Sequence, residues 1–345
     1  MDLRTLMTYP IIQGPMAGGA CTPELVAAVS NAGALGSLAG SALAPSVLVD
    51  QVREIRAQTS KPFLVNLFVQ DVPAPRPEDV ERGRELLRPL VRRLGWEEVP
   101  VPKQWCQDFA AQFEALLELK PAAASFTFDI LRQDQVERLH AAGIPVIGTA
   151  TTAAEALAWE RVGADAVVAS GVEAGGHRGT FLGPQEEAQV PARDLWAETV
   201  KAVHIPVIAA GGIMDGHDIR DALRLGAAAV QMGTAFLVCD ESGIDPLYKQ
   251  MLLTAQGQPT RLTRGLTGRY ARGIENTFMR EMEAVQKEVP AYPVQNALTG
   301  SIRSAAAAQA NPELMSLWAG TGVARARGMP AAQLVQTLVA EMAEG

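Results

Sequence analysis

The sequence predicts an α/β protein: a (β/α)8 TIM barrel carrying a smaller helical region toward its C-terminal end. Three observations lead there. Eight short apolar runs bounded by Gly and Pro alternate with longer Ala-rich stretches of helical period, as in βα units around a parallel sheet. The segments "AAGIPVIGTA", "RVGADAVVAS", "AVHIPVIAAG" and "RLGAAAVQMG" repeat one helix-to-strand turn, as a barrel of like units requires. The glycine-rich turns follow late runs, whereas a doubly wound open sheet usually carries its phosphate loop after the first strand.

In chain order the strands are expected in "YPIIQGP", "ALGSLAG", "PFLVNLF", "AASFTFD", "PVIGTAT", "AVVASG", "PVIAAGG" and "AAVQMGT". Between the first two, "TPELVAAVSNAG" has the signs of a capped helix. Thr22 can cap, Pro23 suits the first helical position, Glu24 suits the positive N-terminal end and Gly33 suits the C-terminal exit. Thr152 and Asp215 open similar helices. Before the fourth run, Gln70 to Lys120 is charged, Pro-rich and partly helical, an insertion that is either a solvated surface excursion or a wall over the strand ends. After Phe236 the pattern turns to arginine-bearing helical segments and an Ala-rich tail. The expected division is therefore a barrel over 1–240, with the insertion at about 70–120, and a helical region over 241–345 packed on it.

Composition narrows the function. The chain has 345 residues, 48% of them hydrophobic, and a net charge of −8. It has ample material for a core, and its charge argues against nucleic acid or an anionic membrane as partner. Leu25 to Val49 is uncharged but broken by glycines and Pro45, so it reads as helix, strand and loop instead of a membrane span. Three separated cysteines, Cys21, Cys106 and Cys239, offer no disulfide framework or CxxC pair, and with no secretory leader pattern the expected compartment is cytoplasmic. No HExxH, GxSxG, GxxxxGK[ST] or GxGxxG pattern is present, which leaves metalloprotease, serine hydrolase, P-loop and Rossmann chemistries unsupported. Metal binding is not expected.

In a barrel, function sits at the carboxyl ends of the strands. After the seventh run, Gly211 and Gly212 let backbone amides approach a ligand. After the eighth, Gly233 and Thr234 add amides and a hydroxyl, and these two turns occupy the usual phosphate position. The alternative is that the glycines serve only tight turns. The first loop, Pro15 to Gly19, is small and flat. Asn66 places an amide inside an apolar strand, to be satisfied either by a ligand ring or by a neighbouring backbone. Thr149, Thr151 and Ser170 continue a polar rim, and the set suits a flat, phosphate-bearing cofactor such as FMN. Of four histidines, His140 and His204 precede strands, on the far face. His217 suits a solvent-facing helix position near the phosphate. His177, in "ASGVEAGGHRGTF", follows a strand on the active face, and there a functional role outweighs a structural one.

The ordered set "PIIQGPMAGG", "TPELVAAVSNAGALGSLAG", "KPFLVNLF", "GTATTAAEA", "GVEAGGHRGTF", "PVIAAGGIMDG", "AVQMGTAFL", "TGRYARGIENTFM", "PAYPVQNALT" and "LWAGTGVARAR" resembles the nitronate monooxygenases, formerly 2-nitropropane dioxygenases, over nearly the whole chain and is closest to their class I branch. The resemblance implies an FMN enzyme that oxidises alkyl nitronates, such as propionate 3-nitronate, with O2 to a carbonyl compound and nitrite. Carried over, the active-site histidine is His177 and the FMN contacts are Asn66, Gly175, Gly212, Gln231, Met232, Gly233 and Thr234. Ser170 stands where the family usually has glutamine, and Ala34 where it usually has glycine. His177 is implied as base or as anion stabiliser. Tyr292, Arg269 and Arg272 are candidates for closing the pocket, against a plain packing role. An FMN-dependent enoyl-ACP reductase or other NAD(P)H-linked flavin reductase shares the first loop, the AGGH turn and the last two strands, and a ligand-storing barrel without turnover is a reading from another class. The expected partners are small molecules, and a homo-oligomer is compatible with the sequence.

Overall fold

All eight apolar runs become parallel strands in the computed structural model, which describes residues 2–344. They are β1 (Ile11–Gln13), β2 (Gly36–Ala39), β3 (Phe63–Phe68), β4 (Ala123–Thr127), β5 (Val146–Ala150), β6 (Ala166–Ser170), β8 (Val207–Ala210) and β9 (Ala229–Met232). A two-residue strand, β7 (Gly176–His177), lies outside this sheet. The ladder runs β1-β9-β8-β6-β5-β4-β3-β2, and a parallel bridge between Ile12 and Leu35 brings its two ends together, so the sheet is a (β/α)8 barrel. Alternation along each strand separates two cores, as the strand period of two demands. Ile12, Leu64, Val168, Ile208 and Ala229 fill the interior, whose lower end is plugged by Leu3, Leu6 and Met7. Ile11, Val65, Val167, Val207 and Val230 face the surrounding helices.

The helix starts follow their local chemistry. Thr22 accepts from the amide of Leu25, Thr152 from Glu155 and Asp215 from Asp218, so each satisfies a donor that the first helical turn leaves open. Gly33 leaves the first helix at φ +91°, a conformation that other residues adopt only under strain.

The packing boundary differs from the expected division at residue 240. The tail helix Ala331–Ala343 packs between Gly216–Arg224 and Pro23–Asn31, and its Leu334, Val335 and Leu338 belong to the barrel's outer core. It is the barrel's eighth helix. Likewise Phe109–Leu119, within the expected insertion, packs on β3 and the helix Pro45–Gln58 as an ordinary barrel helix. The rest of that insertion joins the second unit: Leu87, Leu90 and Val91 of the helix Pro77–Arg92 are buried in one cluster with Leu266, Phe278, Leu298 and Leu317. The charged exterior of that helix masked its apolar stripe. The second unit is also not purely helical, since β10 (Thr260–Thr263) and β11 (Ala271–Ile274) form an antiparallel pair to which β7 adds a third strand.

Gly148 is small for packing reasons. A Cβ there would sit 2.1 Å from the Trp159 ring, which is fully buried and held by its Nε1 donating to the Thr149 carbonyl at 3.1 Å. Gly148→Ala is expected to cost about 1–3 kcal/mol. Urea unfolding checks this, and wild-type stability would show that the indole has room to move.

Candidate active site

His177 is delivered to the barrel mouth by strand pairing, not by a free loop. In β7 it opposes Ala271 of β11, and the amide of Arg178 donates to the Tyr270 carbonyl at 2.8 Å. Arg178 itself is 1% exposed, and its guanidinium donates to the carbonyls of Ser170 (2.9 Å), Gly171 (2.6 Å) and Ala188 (3.0 Å). Further along, the fully buried carboxylate of Glu155 accepts from the amides of Thr151 (2.6 Å), Phe181 (2.6 Å) and Leu182 (2.9 Å) and from the Thr151 hydroxyl (2.8 Å). The loop that carries His177 is thus fixed at both ends by buried charge in hydrogen bonds.

Around the imidazole stand three rings. The centroids of Phe128, Tyr292 and Trp318 lie 5.5, 5.4 and 5.7 Å from that of His177, the first two edge-on. Phe128 directly follows β4 at φ +86°, a strained conformation for a bulky residue that the packing must hold. Trp318 pairs through Gly273 onto β11, and its carbonyl accepts from the buried Tyr248 hydroxyl at 2.5 Å. Arg269 stacks over Phe128, 4.3 Å from the ring centroid, and donates to the carbonyls of Arg178 (2.8 Å) and Thr180. Arg303 donates to the carbonyl (2.8 Å) and side-chain oxygen (2.9 Å) of Asn296. Neither guanidinium makes an ion pair with a carboxylate among the described residues. Burial draws both down to about 10, which leaves them charged at neutral pH. Burial, then the charges of Arg269 and Arg303, lower His177 to about 3, so its ring is neutral.

The expected cofactor residues fall into two kinds. Asn66 is 2% exposed, and its amide nitrogen already donates to Ser125 (3.0 Å to Oγ, 3.2 Å to the carbonyl), so a neighbouring strand satisfies that half of it. The Met232 side chain packs in the outer core, which leaves only its backbone to a ligand, and the Met232 carbonyl already accepts from Gly14. The Thr234 hydroxyl accepts from the amide of Gly320 at 3.0 Å. One face of Gly175 presses on Gly320, whose nitrogen would lie 2.5 Å from an added Cβ. That closeness demands glycine there. Ser170 and Gln231 are half-buried at the ends of β6 and β9. Gly212 (φ +76°) and Gly233 remain, one at the end of β8 and one opening the short helix Thr234–Leu237. No protein acceptor among the described residues faces the amides of Gly212, Gly233 and Thr234, and the Arg325 guanidinium, paired with Asp215 and Asp218, also donates to the Gly212 carbonyl. Free amides of this kind are what a phosphate needs.

The other histidines are exposed: His140 beside Asp165, His204 before β8, and His217 on its helix. Of the residues considered for closing the pocket, Tyr292 and Arg269 stand beside His177, whereas the Arg272 Nε donates to the Val172 carbonyl at 2.8 Å and so supports the loop. Phe128, Trp318, Thr267, Arg303, Glu155 and Arg178 were not singled out from sequence. Only Phe128 had a signal, its place just past a strand end.

A family model described as nitronate monooxygenase matches residues 2–341. The chain belongs to the nitronate monooxygenase family. A "Probable nitronate monooxygenase" of Bacillus subtilis (strain 168) is 44% identical over 318 residues, covering 92% of this chain and 91% of the relative. One of the same name from Staphylococcus aureus (strain Newman) is 40% identical over 332 residues, 96% of this chain and 93% of its own. Among solved structures, a nitroalkane oxidase from Streptomyces ansochromogenes superposes with a TM-score of 0.92 at 41% identity, covering 100% of this chain and 98% of its own. FabK from Thermotoga maritima gives 0.77 at 29%, covering 99% and 95%. This family member is an oxidoreductase, and no helix among its described residues is long and apolar enough to cross a membrane.

The neutral His177 gives a stability signature. An unfolded histidine takes up a proton near pH 6.5 and the folded one only near 3. Between these values the unfolded chain binds more protons, so this contribution is complete above the upper one and is lost as pH falls toward the lower. Wild type is expected to lose more stability than His177→Gln between about pH 7.5 and 4.5. Urea melts at both pH values test it, and parallel losses would mean that the ring titrates normally.

Proposed function

We propose that the enzyme binds FMN at the carboxyl end of the barrel and oxidises alkyl nitronates with O2, releasing a carbonyl compound and nitrite, with His177 at the substrate. The observation that carries this reading is the pairing of free amides at Gly212, Gly233 and Thr234 with a separate, cationic aromatic pocket around His177. The amides and the adjacent Arg325 suit a phosphate, and the rim of Asn66, Ser170 and Gln231 suits the polar edge of a flavin ring. Electron transfer from the nitronate and reduction of O2 are the chemistry that FMN supplies when bound.

The protein's part is to gather an anion. A nitronate carries its charge on the nitro oxygens, and Arg269 and Arg303, without carboxylate partners, favour an anion over a neutral molecule in a pocket of low polarity. Phe128, Tyr292 and Trp318 exclude water from that pocket and fix the plane of the imidazole. Free thiols at Cys21, Cys106 and Cys239 suit a reducing cytoplasm.

An FMN-dependent enoyl-ACP reductase is the competing reading. Mixing the purified yellow enzyme anaerobically with propionate 3-nitronate is expected to bleach the flavin absorbance, whereas NADH leaves it oxidised. The opposite pair of results would overturn the proposal. For the phosphate, Gly212→Asp is a compromised test, because a Cβ there also meets the Glu173 Cβ at 3.2 Å. Gly233→Asp is cleaner: nothing but the Met16 side chain comes within 4 Å, and aspartate suits a helix-capping position. It is expected to fold and to purify with most of its FMN lost through charge repulsion. Full flavin content in a folded variant would displace the phosphate from this turn.

A further inference from the structure

Thr267 is fully buried, and its hydroxyl has two neighbours: the Arg269 carbonyl at 3.0 Å and His177 Nε2 at 2.9 Å. A hydroxyl has one proton to give and lone pairs to accept with. The carbonyl can only accept, and no other group among the described residues donates to it. The threonine proton therefore belongs to Arg269, and the lone pair facing the ring must take a proton from Nε2. A neutral imidazole has a single N–H. With that proton on Nε2, Nδ1 bears a bare lone pair, has no hydrogen bond and is not among the partnerless atoms sealed from solvent.

We infer that Thr267 is a positioning residue, which holds His177 as its Nε2–H tautomer and leaves Nδ1 as the nitrogen that meets the substrate. The inference rests on the placement of His177 at the substrate proposed above. Phe128, Tyr292 and Trp318 pack around the imidazole and resist a ring flip that would exchange the two nitrogens. The charged groups facing the ring are Arg269 and Arg303, with the Tyr292 phenol beside them. The consequence is a division of labour. An acceptor-only Nδ1 cannot donate to nitronate oxygens, so matching the anion falls to the arginines. What Nδ1 can do is take the proton of a neutral nitroalkane: the α-C–H bond breaks, its electron pair moves into the nitro group to give the nitronate, and an N–H bond forms at Nδ1. A nitronate supplied ready-made skips that step.

The test reads the tautomer directly, by two-bond nitrogen-proton correlation spectra of the flavin-loaded enzyme labelled with 15N-histidine. Wild type and Thr267→Ser are expected to show protonated Nε2 and bare Nδ1, and Thr267→Val a loss of that preference. With nitroethane the valine variant should fall about tenfold or more, with preformed ethyl nitronate no more than about threefold, and the serine variant should restore both. A wild-type spectrum with the proton on Nδ1 would overturn the inference, as would equal losses on the two substrates in the valine variant. Should valine fail to fold, the wild-type and serine spectra decide. If no variant, nor wild type, turned over either substrate, the function proposed above would fail while the spectra still ruled on the tautomer.

Discussion

A buried arginine needs acceptors for its charge, and Arg178 finds them in the main chain that leads to His177, where both terminal nitrogens are bonded and only Nε has no partner among the described residues. Its guanidinium gathers the carbonyls of Ser170, Gly171 and Ala188, while its own carbonyl accepts from Arg269. A partner charge lies close by, in the Glu155 carboxylate that anchors Phe181 and Leu182. Between these two anchors the chain has almost no freedom left. Removing either would leave the other's charge in a low-dielectric setting with fewer partners, the costly way to break such an arrangement. The loop that carries His177 is therefore held by buried charge in hydrogen bonds, and Gly171 and Gly175 within it are points of close approach.

The same accounting explains the chemistry of the pocket. Arg178, Arg269, Arg272 and Arg303 bring four guanidinium groups toward one end of the barrel, and Glu155 and Glu173 are the buried or half-buried carboxylates that face them. The balance is positive. A protein with net charge −8 that concentrates cations here raises the local potential beside His177 and adds to the suppression of its protonation. His177 is neutral first because it is buried, and the neighbouring arginine charges add to that effect.

Much of this fold was legible because barrel strands are local in sequence. Each is a short apolar run with its own turn signals, and Thr22, Thr152 and Asp215 mark helix starts through bonds to residues three positions away. The glycine turns at Gly212 and Gly233 were legible for the same reason. What escaped notice was non-local. The amphipathic stripe of Pro77–Arg92 has meaning only once a surface some two hundred residues on is in place, and the helix Ala331–Ala343 looks like any Ala-rich tail until the barrel shows a gap for it. An amide at Asn66 inside an apolar strand signals a need for a partner, but that Ser125 of β4 meets half of it, and that the Met232 side chain packs outward, depends on neighbours distant in sequence. Thr267 and Arg303 carried no signal at all, since a threonine or arginine in a helical-looking segment is ordinary.

The late return of the chain to the barrel separates two tasks. The strand ends β8 and β9, where free amides suit a cofactor's phosphate, belong to the regular βα repeat and are fixed by the closed sheet. Thr267, Arg269, Tyr292, Arg303 and Trp318 all come from the segment between β9 and the eighth helix, so the pocket around His177 is largely supplied by an excursion from the last repeat. That excursion has its own core, built with Pro77–Arg92. Substitutions there can reshape the pocket without disturbing the sheet. β7 is where the two tasks meet, for the pairing of Gly176 and His177 with Arg272 and Ala271 of β11 ties a loop of the barrel to the excursion beside the imidazole. The position of the imidazole therefore reports on the docking of the two units, and loosening their shared core should disturb substrate chemistry before it disturbs cofactor binding.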